Sequence, residues 1–291
     1  MNENKYCEKC GAVLQENTMF CGNCGATVNS NSINEDINVI NSTTSNNKTK
    51  SKTGKVIGSI VSILIILLAS SIGKFAGRYM VEDFSTDKHI RDIDAYIESM
   101  EDYVPGYYDE NHFVSEHFGL EFVVNDQWIM YTEEELEPLT ENIRQSAISS
   151  GVASIKEEGA SQELIDKWIS AVYAETEMGA CYVVDDTIMG EVTVGVFSAY
   201  GADEATEDEF VEGMEKQLAT MAANVTSDEQ IIAGKSYKKL QASVVVDDMD
   251  MSNSIFVRIK DGMICMITCK ALEGYEDAML DSFLAQINTY N

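Results

Sequence analysis

Cys7, Cys10, Cys21 and Cys24 form two Cys-x-x-Cys-Gly knuckles, each preceded by an aromatic residue, Tyr6 and Phe20. Ten residues separate Cys10 from Cys21, enough for one short hairpin and little else. A two-residue gap lets both sulfurs of a knuckle face one ion, and the glycine that follows takes positive φ without a Cβ clash. Four thiolates in two tight pairs describe a tetrahedral zinc site with no open position, which favours a structural ion over a catalytic one. A unit of this size has too little core to fold alone, so the metal must supply the folding free energy. No βαβ pattern stands nearby to suggest a thioredoxin-like pair. A rubredoxin-type iron site has a much longer separation between its knuckles, and a disulfide framework does not suit the reducing compartment argued below.

Residues 5–28 resemble the short bacterial zinc-ribbon family on these double knuckles, with all four ligand positions matched. The resemblance implies a small adaptor-like module, in some members attached to membrane proteins, and it does not imply catalysis.

The other candidate chemistry is sparse. His112 and His117 lie among Asp109, Glu110 and Glu116, but five-residue spacing on an extended segment sends the two rings to opposite faces. Exposed edge-strand residues are the simpler reading, against a metal site. Asp248, Asp250 and Ser252 alternate like the start of a calcium loop, yet Asn253 replaces the tight-turn glycine and Ile259 the bidentate glutamate, so that reading fails. Asp247, Asp248 and Asp250 read as a soluble hairpin cap. There is no Gly-x-Ser-x-Gly, no phosphate-cradling glycine loop and no recognisable Cys/His spacing. Cys265 and Cys269 share a strand face at roughly 13 Å and cannot bond each other. Either can reach Cys181 if it lies on a neighbouring strand; otherwise all three are buried small apolar side chains.

The elements around these residues divide the 291-residue chain. Residues 29–54 are rich in Asn, Ser and Thr without a sustained period, the composition of a disordered linker. Residues 55–79 contain the uncharged run Val56 to Gly73, with Ile60, Ile63, Leu64, Ile65, Ile66, Leu67 and Leu68 at its centre. At about 1.5 Å per residue it reaches roughly 27 Å, and Phe75 and Tyr79 extend it while Lys74 and Arg78 snorkel; a transmembrane helix is predicted. Lys48, Lys50, Lys52 and Lys55 precede it, so the ribbon side is predicted to be cytoplasmic and the C-terminal side extracytoplasmic, in a single-pass cell-membrane protein.

Beyond the span the charge changes sharply. Residues 81–291 hold 44 of the 49 acidic and 12 of the 20 basic side chains, a net charge of −32. Such a field repels nucleic acid and keeps a surface solvated. Ile90, Ile93, Ile97, Met100 and Val104 predict an amphipathic stalk helix over 84–106, ended by Pro105 and Gly106. The acidic domain, 110–291, is predicted to be α+β with an antiparallel sheet and packed helices. A strand lies over 118–124. Helices begin at the capping boxes Thr132-x-x-Glu135, running to about Ser149, and Thr206-x-x-Glu209; others start at Ser161 and run over 275–287. Further strands fall near 180–184, 191–199, 224–232, 236–246, 254–260 and 263–270, the last two joined by the hairpin signal Asp261-Gly262.

This order, with Phe118-Gly119-Leu120-Glu121-Phe122, then Trp128, then Ala233-Gly234-Lys235-Ser236-Tyr237, resembles the PsbP/DcrB-like α+β domains over roughly residues 113–290. The resemblance implies a non-enzymatic envelope domain that binds or scaffolds, and the stretch between Thr132 and Thr176 departs from the compact form. The reading is a cytoplasmic zinc ribbon that docks a protein, tethered to an outer domain that binds an envelope ligand or protein. Membrane-tethered nucleic-acid binding by the ribbon, or an envelope hydrolase, are the alternatives; Lys5 and Lys9 are outnumbered by Glu3, Glu8 and Glu16, which disfavours nucleic acid.

Overall fold

The computed structural model describes residues 94–98, 100, 102–109, 111–157, 159–198, 202–220, 222–246 and 249–290. The four ribbon cysteines, the linker 29–54 and the expected span 55–79 lie outside them, as do Asp247 and Asp248. Among the described residues no helix is long and apolar enough to cross a membrane.

The domain is α+β and wholly antiparallel in its pairing. Its strands are β1 (Tyr107–Tyr108), β2 (His112–Ser115), β3 (Leu120–Val123), β4 (Trp128–Met130), β5 (Ala174–Val184), β6 (Thr187–Ser198), β7 (Ala223–Ile232), β8 (Lys235–Val246), β9 (Met249–Lys260), β10 (Met263–Leu272) and β11 (Ile287–Thr289). The helices are α1 (Glu133–Glu157), α2 (Gln162–Ala171), α3 (Glu207–Leu218) and α4 (Glu276–Gln286). A seven-stranded sheet runs β4-β5-β6-β10-β9-β8-β7, and a four-stranded sheet runs β1-β2-β3-β11.

The large sheet is the middle layer. On one face α1, α2 and α3 contribute Ile143, Ile155, Leu164, Trp168, Phe210 and Met214 against Leu240, Ile255, Val257 and Ile264. On the other face the small sheet and α4 contribute Phe113, Phe122 and Phe283 against Val194, Phe256, Cys265 and Ile267. With both faces covered, β10 is buried along almost its whole length, which explains its near-continuous apolar reading. The same burial shortens what alternation can reveal at β5 and β6, whose hairpin turns on Asp185 and Asp186 at φ 48° and 60°, a left-handed pair achieved without glycine. Ala233-Gly234 and Asp261-Gly262 make the corresponding turns for β7–β8 and β9–β10.

Local chemistry sets the helix starts. The Glu135 carboxylate accepts from the Thr132 backbone N–H at 2.9 Å and from its hydroxyl at 3.1 Å, and Ser161 Oγ accepts from the Leu164 N–H at 3.3 Å. The start of α3 differs from expectation. Thr206 makes no side-chain cap to the helix; its hydroxyl donates back to the Asp203 carbonyl, while Asp203 Oδ1 accepts from the N–H groups of Ala205 and Thr206. An aspartate three residues upstream closes that turn first. α1 also runs past the expected end near Ser149, because Gly151 and Ile155 lie against α2 and extend the buried stripe.

Gly151 is a packing requirement. An ideal Cβ there would come within 2.0 Å of the Trp168 ring, which is fully enclosed and has nowhere to swing. Alanine gains roughly 1 kcal/mol of helix propensity, but overpacking of this kind costs about 1–3 kcal/mol and more where the neighbour is fixed. Gly151→Ala is therefore expected to lower the urea midpoint of the domain at unchanged m-value.

The described part of the expected stalk is joined to the domain. Residues 94–98 and 100 are helical, Ile97 and Met100 pack against the core, the Tyr96 hydroxyl donates to the Gly262 carbonyl at 3.1 Å, and Lys167 pairs with Asp94.

Candidate functional site

The ribbon cysteines are the strongest metal-ligating set in the sequence, and their donor set of four thiols in two knuckles fits a zinc ion. The acidic domain places its ionisable chemistry inside, in two places on opposite faces of the large sheet.

The first lies between the sheets. A register shift in β5 between Thr176 and Met178 bulges Glu177 out of the ladder. Its side chain is buried and accepts a hydrogen bond from the Tyr103 hydroxyl, so the segment entering the domain is fastened to this carboxylate. The other oxygen lies against Gly106, where a Cβ would approach within 2.7 Å, and the Gly106 backbone N–H and the Tyr173 hydroxyl are the donors beside this carboxylate. Tyr103 also meets Tyr173 and His117 edge to face, at 5.3 and 5.1 Å between centroids. Burial pushes the Glu177 carboxyl up to about 7 against the opposing effect of the Tyr103 bond. The turn above is held by Lys260, whose ammonium donates to the His117 carbonyl at 2.6 Å, and by Arg258, which donates to the Phe118 carbonyl at 3.4 Å. Burial lowers the pKa of His117.

The second lies on the helix side. Register aligns Cys181, Glu191, Lys270 and Asn253 in one row across β5, β6, β10 and β9. All four are buried, Glu191 and Lys270 each at 1 % exposure. Burial raises Glu191 to about 7 and lowers Lys270 to about 8, each moderated by the other's charge. Sequence reading passed over both, because a single Glu and a single Lys in runs of apolar residues carry no motif. The usable signal was their setting, Gly190-Glu191-Val192 and Cys269-Lys270-Ala271, a charge flanked on both sides by core residues.

The residues singled out from sequence fare differently. His112 and His117 are not brought together: His112 Nε2 stands 3.0 Å from Glu121 Oε1, whereas His117 Nε2 faces the Lys260 carbonyl at 3.4 Å. Among the described residues no group of three His, Cys, Asp or Glu side chains is placed to hold a metal ion. Cys181, Cys265 and Cys269 are free and buried. Of the two readings open from sequence, buried small apolar side chains is the one the fold supports: Cys181 does not lie on a strand next to the others, since β6 stands between β5 and β10. Cys181 also faces the opposite side from Cys265 and Cys269, which lie in the inter-sheet core. Its thiol contacts the Tyr131 hydroxyl at 3.3 Å, and burial pushes it up to about 12; burial raises the other two thiols as well. None of the three is poised as a thiolate.

Comparison with known proteins assigns residues 6–28 to a zinc-ribbon domain. No curated protein matches the chain. Among solved structures, the chain is similar to LpqN of Mycobacterium tuberculosis, described as involved in cell envelope biogenesis, at 10% identity and a TM-score of 0.34, covering 59% of this chain and 83% of that one. A protein of Bacteroides thetaiotaomicron matches at 7% identity and a TM-score of 0.34, covering 63% of this chain and half of its own. The solution structure of cyanobacterial PsbP from Synechocystis sp. PCC 6803 matches at 12% identity and a TM-score of 0.30, covering 64% and 97%.

Proposed function

We propose that this chain is a single-pass membrane protein whose cytoplasmic zinc ribbon docks a protein partner, while its extracytoplasmic acidic domain binds an envelope ligand or protein without performing chemistry. The observation that carries the reading is a zinc-ribbon domain over residues 6–28 placed ahead of a lysine-flanked, uncharged run. Cys7, Cys10, Cys21 and Cys24 would hold the zinc, which supplies folding free energy and, with four protein ligands, leaves no position for substrate. The asymmetry of Lys48, Lys50, Lys52 and Lys55 supports a cytoplasmic ribbon. The buried, protonated thiols of the outer domain support binding over nucleophilic chemistry.

Two measurements test it. External protease on intact cells or right-side-out vesicles is expected to remove the acidic domain and spare an epitope at the N-terminus; the reverse pattern overturns the topology. Crosslinking of the full-length chain in cells is expected to recover a cytoplasmic protein that is lost when the four ribbon cysteines are changed together to serine. Recovery unchanged by that substitution removes the ribbon from the docking role.

A further inference from the structure

The polar row on the helix side of the large sheet, with the buried pair Thr193 and Thr268 beside it, divides the apolar surface of that face. Along β9 it falls between Met251 and Ile255, and along β10 between Leu272 and Met266, so Asn253 and Lys270 separate the main helix-side core from a satellite cluster of Met251, Ile188, Val244 and Leu272. Among the described residues, Nζ of Lys270 and Oδ1 of Asn253 have no hydrogen-bond partner, and the Glu191 carboxylate has no neighbouring donor beyond the Tyr131 hydroxyl to satisfy its two oxygens. Asn253 Nδ2 reaches only the Ala242 carbonyl, at 3.5 Å. Tyr131 stands near Glu191: its hydroxyl oxygen accepts from the Cys181 thiol at 3.3 Å, which leaves the hydroxyl proton to face the Glu191 carboxylate. Direct cross-strand neighbours have Cβ atoms about 5 Å apart, so Lys270 lies beside both Glu191 and Asn253, and one small molecule can touch all three.

The requirements of these atoms are complementary. Lys270 presents donors, whereas Glu191 and Asn253 present acceptors, and a bridging molecule must accept from the first and donate to the others. Leaving such groups unsatisfied at 0–1 % exposure costs more than any packing in the row returns. We propose that the row encloses an internal hydration site, in which ordered water accepts from Lys270 Nζ and donates to Glu191 and to Asn253 Oδ1. The site has the polar partners that a buried water needs, supplied by three adjacent strands. It ties β6, β10 and β9 together by a link that a one-residue slip of any strand destroys.

Asn253 tests the proposal, because it has no charge and no other strong bond. With water in the row, Asn253→Leu removes one of the water's acceptors, and the unfolding equilibrium constant of the full-length chain is expected to rise about tenfold or more. With no water there, replacing a poorly bonded amide by an apolar group of similar volume leaves that constant unchanged or lowers it, which overturns the proposal. Asn253→Ser, which keeps an acceptor and opens room for a second water, is expected to lose distinctly less than Asn253→Leu; equal losses count against the site. A crystal structure of the full-length protein at a resolution that shows solvent is expected to place water within hydrogen-bond distance of Lys270 Nζ and Asn253 Oδ1. Direct closure of Lys270 onto Glu191 with no solvent density overturns the proposal.

Discussion

Full-length protein purified under reducing conditions is expected to carry one zinc ion per chain, and a chelator strong enough to remove it is expected to unfold residues 6–28 without moving the thermal transition of the acidic domain. The ribbon is too short to bury a sufficient core, so metal binding and folding are one equilibrium, worth about 10–16 kcal/mol in such modules near neutral pH. That is larger than any single side-chain effect in the acidic domain. Each of Cys7, Cys10, Cys21 and Cys24 must be a thiolate to bind, so acidification should release the metal by protonating sulfur, with affinity falling as pH drops. Cobalt substitution should give the intense visible bands of a tetrahedral sulfur site, and Cys7→Ser or Cys24→Ser should weaken and shift them. Metal content measured across the four single variants is the direct check. A chain that binds no zinc, or iron in its place, refutes the assignment.

The ribbon was legible because its signal is local: four cysteines, two fixed gaps and two glycines need no knowledge of distant contacts. The strands β7 to β10 were legible for a similar reason, since Gly234 and Gly262 mark their turns with a residue suited to positive φ. Asp185-Asp186 reaches the same conformation without glycine, so the long hairpin of β5 and β6 was read as two shorter strands. β11 was missed because Ile287 to Thr289 continues the chain from α4 with no break residue; its pairing with β3 is a tertiary decision. The capping box at Thr206 was a correct pattern in the wrong context, displaced by the Asp203 carboxylate. The buried charges were least legible of all. A register that puts Lys270 beside Glu191 arises only when β6 inserts between β5 and β10, a strand order no local pattern records.

That pair makes the largest prediction for the acidic domain. Lys270→Met leaves the Glu191 carboxylate buried without its cation, and Glu191→Gln leaves the Lys270 ammonium buried without its anion; each is expected to destabilise the domain by about 3–5 kcal/mol. The double variant is expected to be near wild type or more stable, because the desolvation penalty disappears along with the attraction. A double-mutant cycle in urea isolates the coupling. The pH dependence carries a further signature. Glu191 is raised from 4.5 to about 7, so its contribution is fully present below 4.5 and is lost as pH rises through 7. Lys270 is lowered from 10.5 to about 8, so the native state binds fewer protons than the unfolded chain between these values, and stability rises with pH across that window. The two slopes oppose each other and leave a trough between about pH 7 and 8, where both groups are charged. Glu177, also raised to about 7, adds to the acid-side slope, so the trough is read as the difference between wild type and the double variant. Glu191→Gln should erase the fall on the acid side of that difference and keep the alkaline rise, starting at lower pH because the lone lysine deprotonates more easily. Lys270→Met should do the converse, extending the fall above pH 7. A flat difference curve would mean that the pair is open to bulk solvent in the native state, and the buried row would then lose its energetic role.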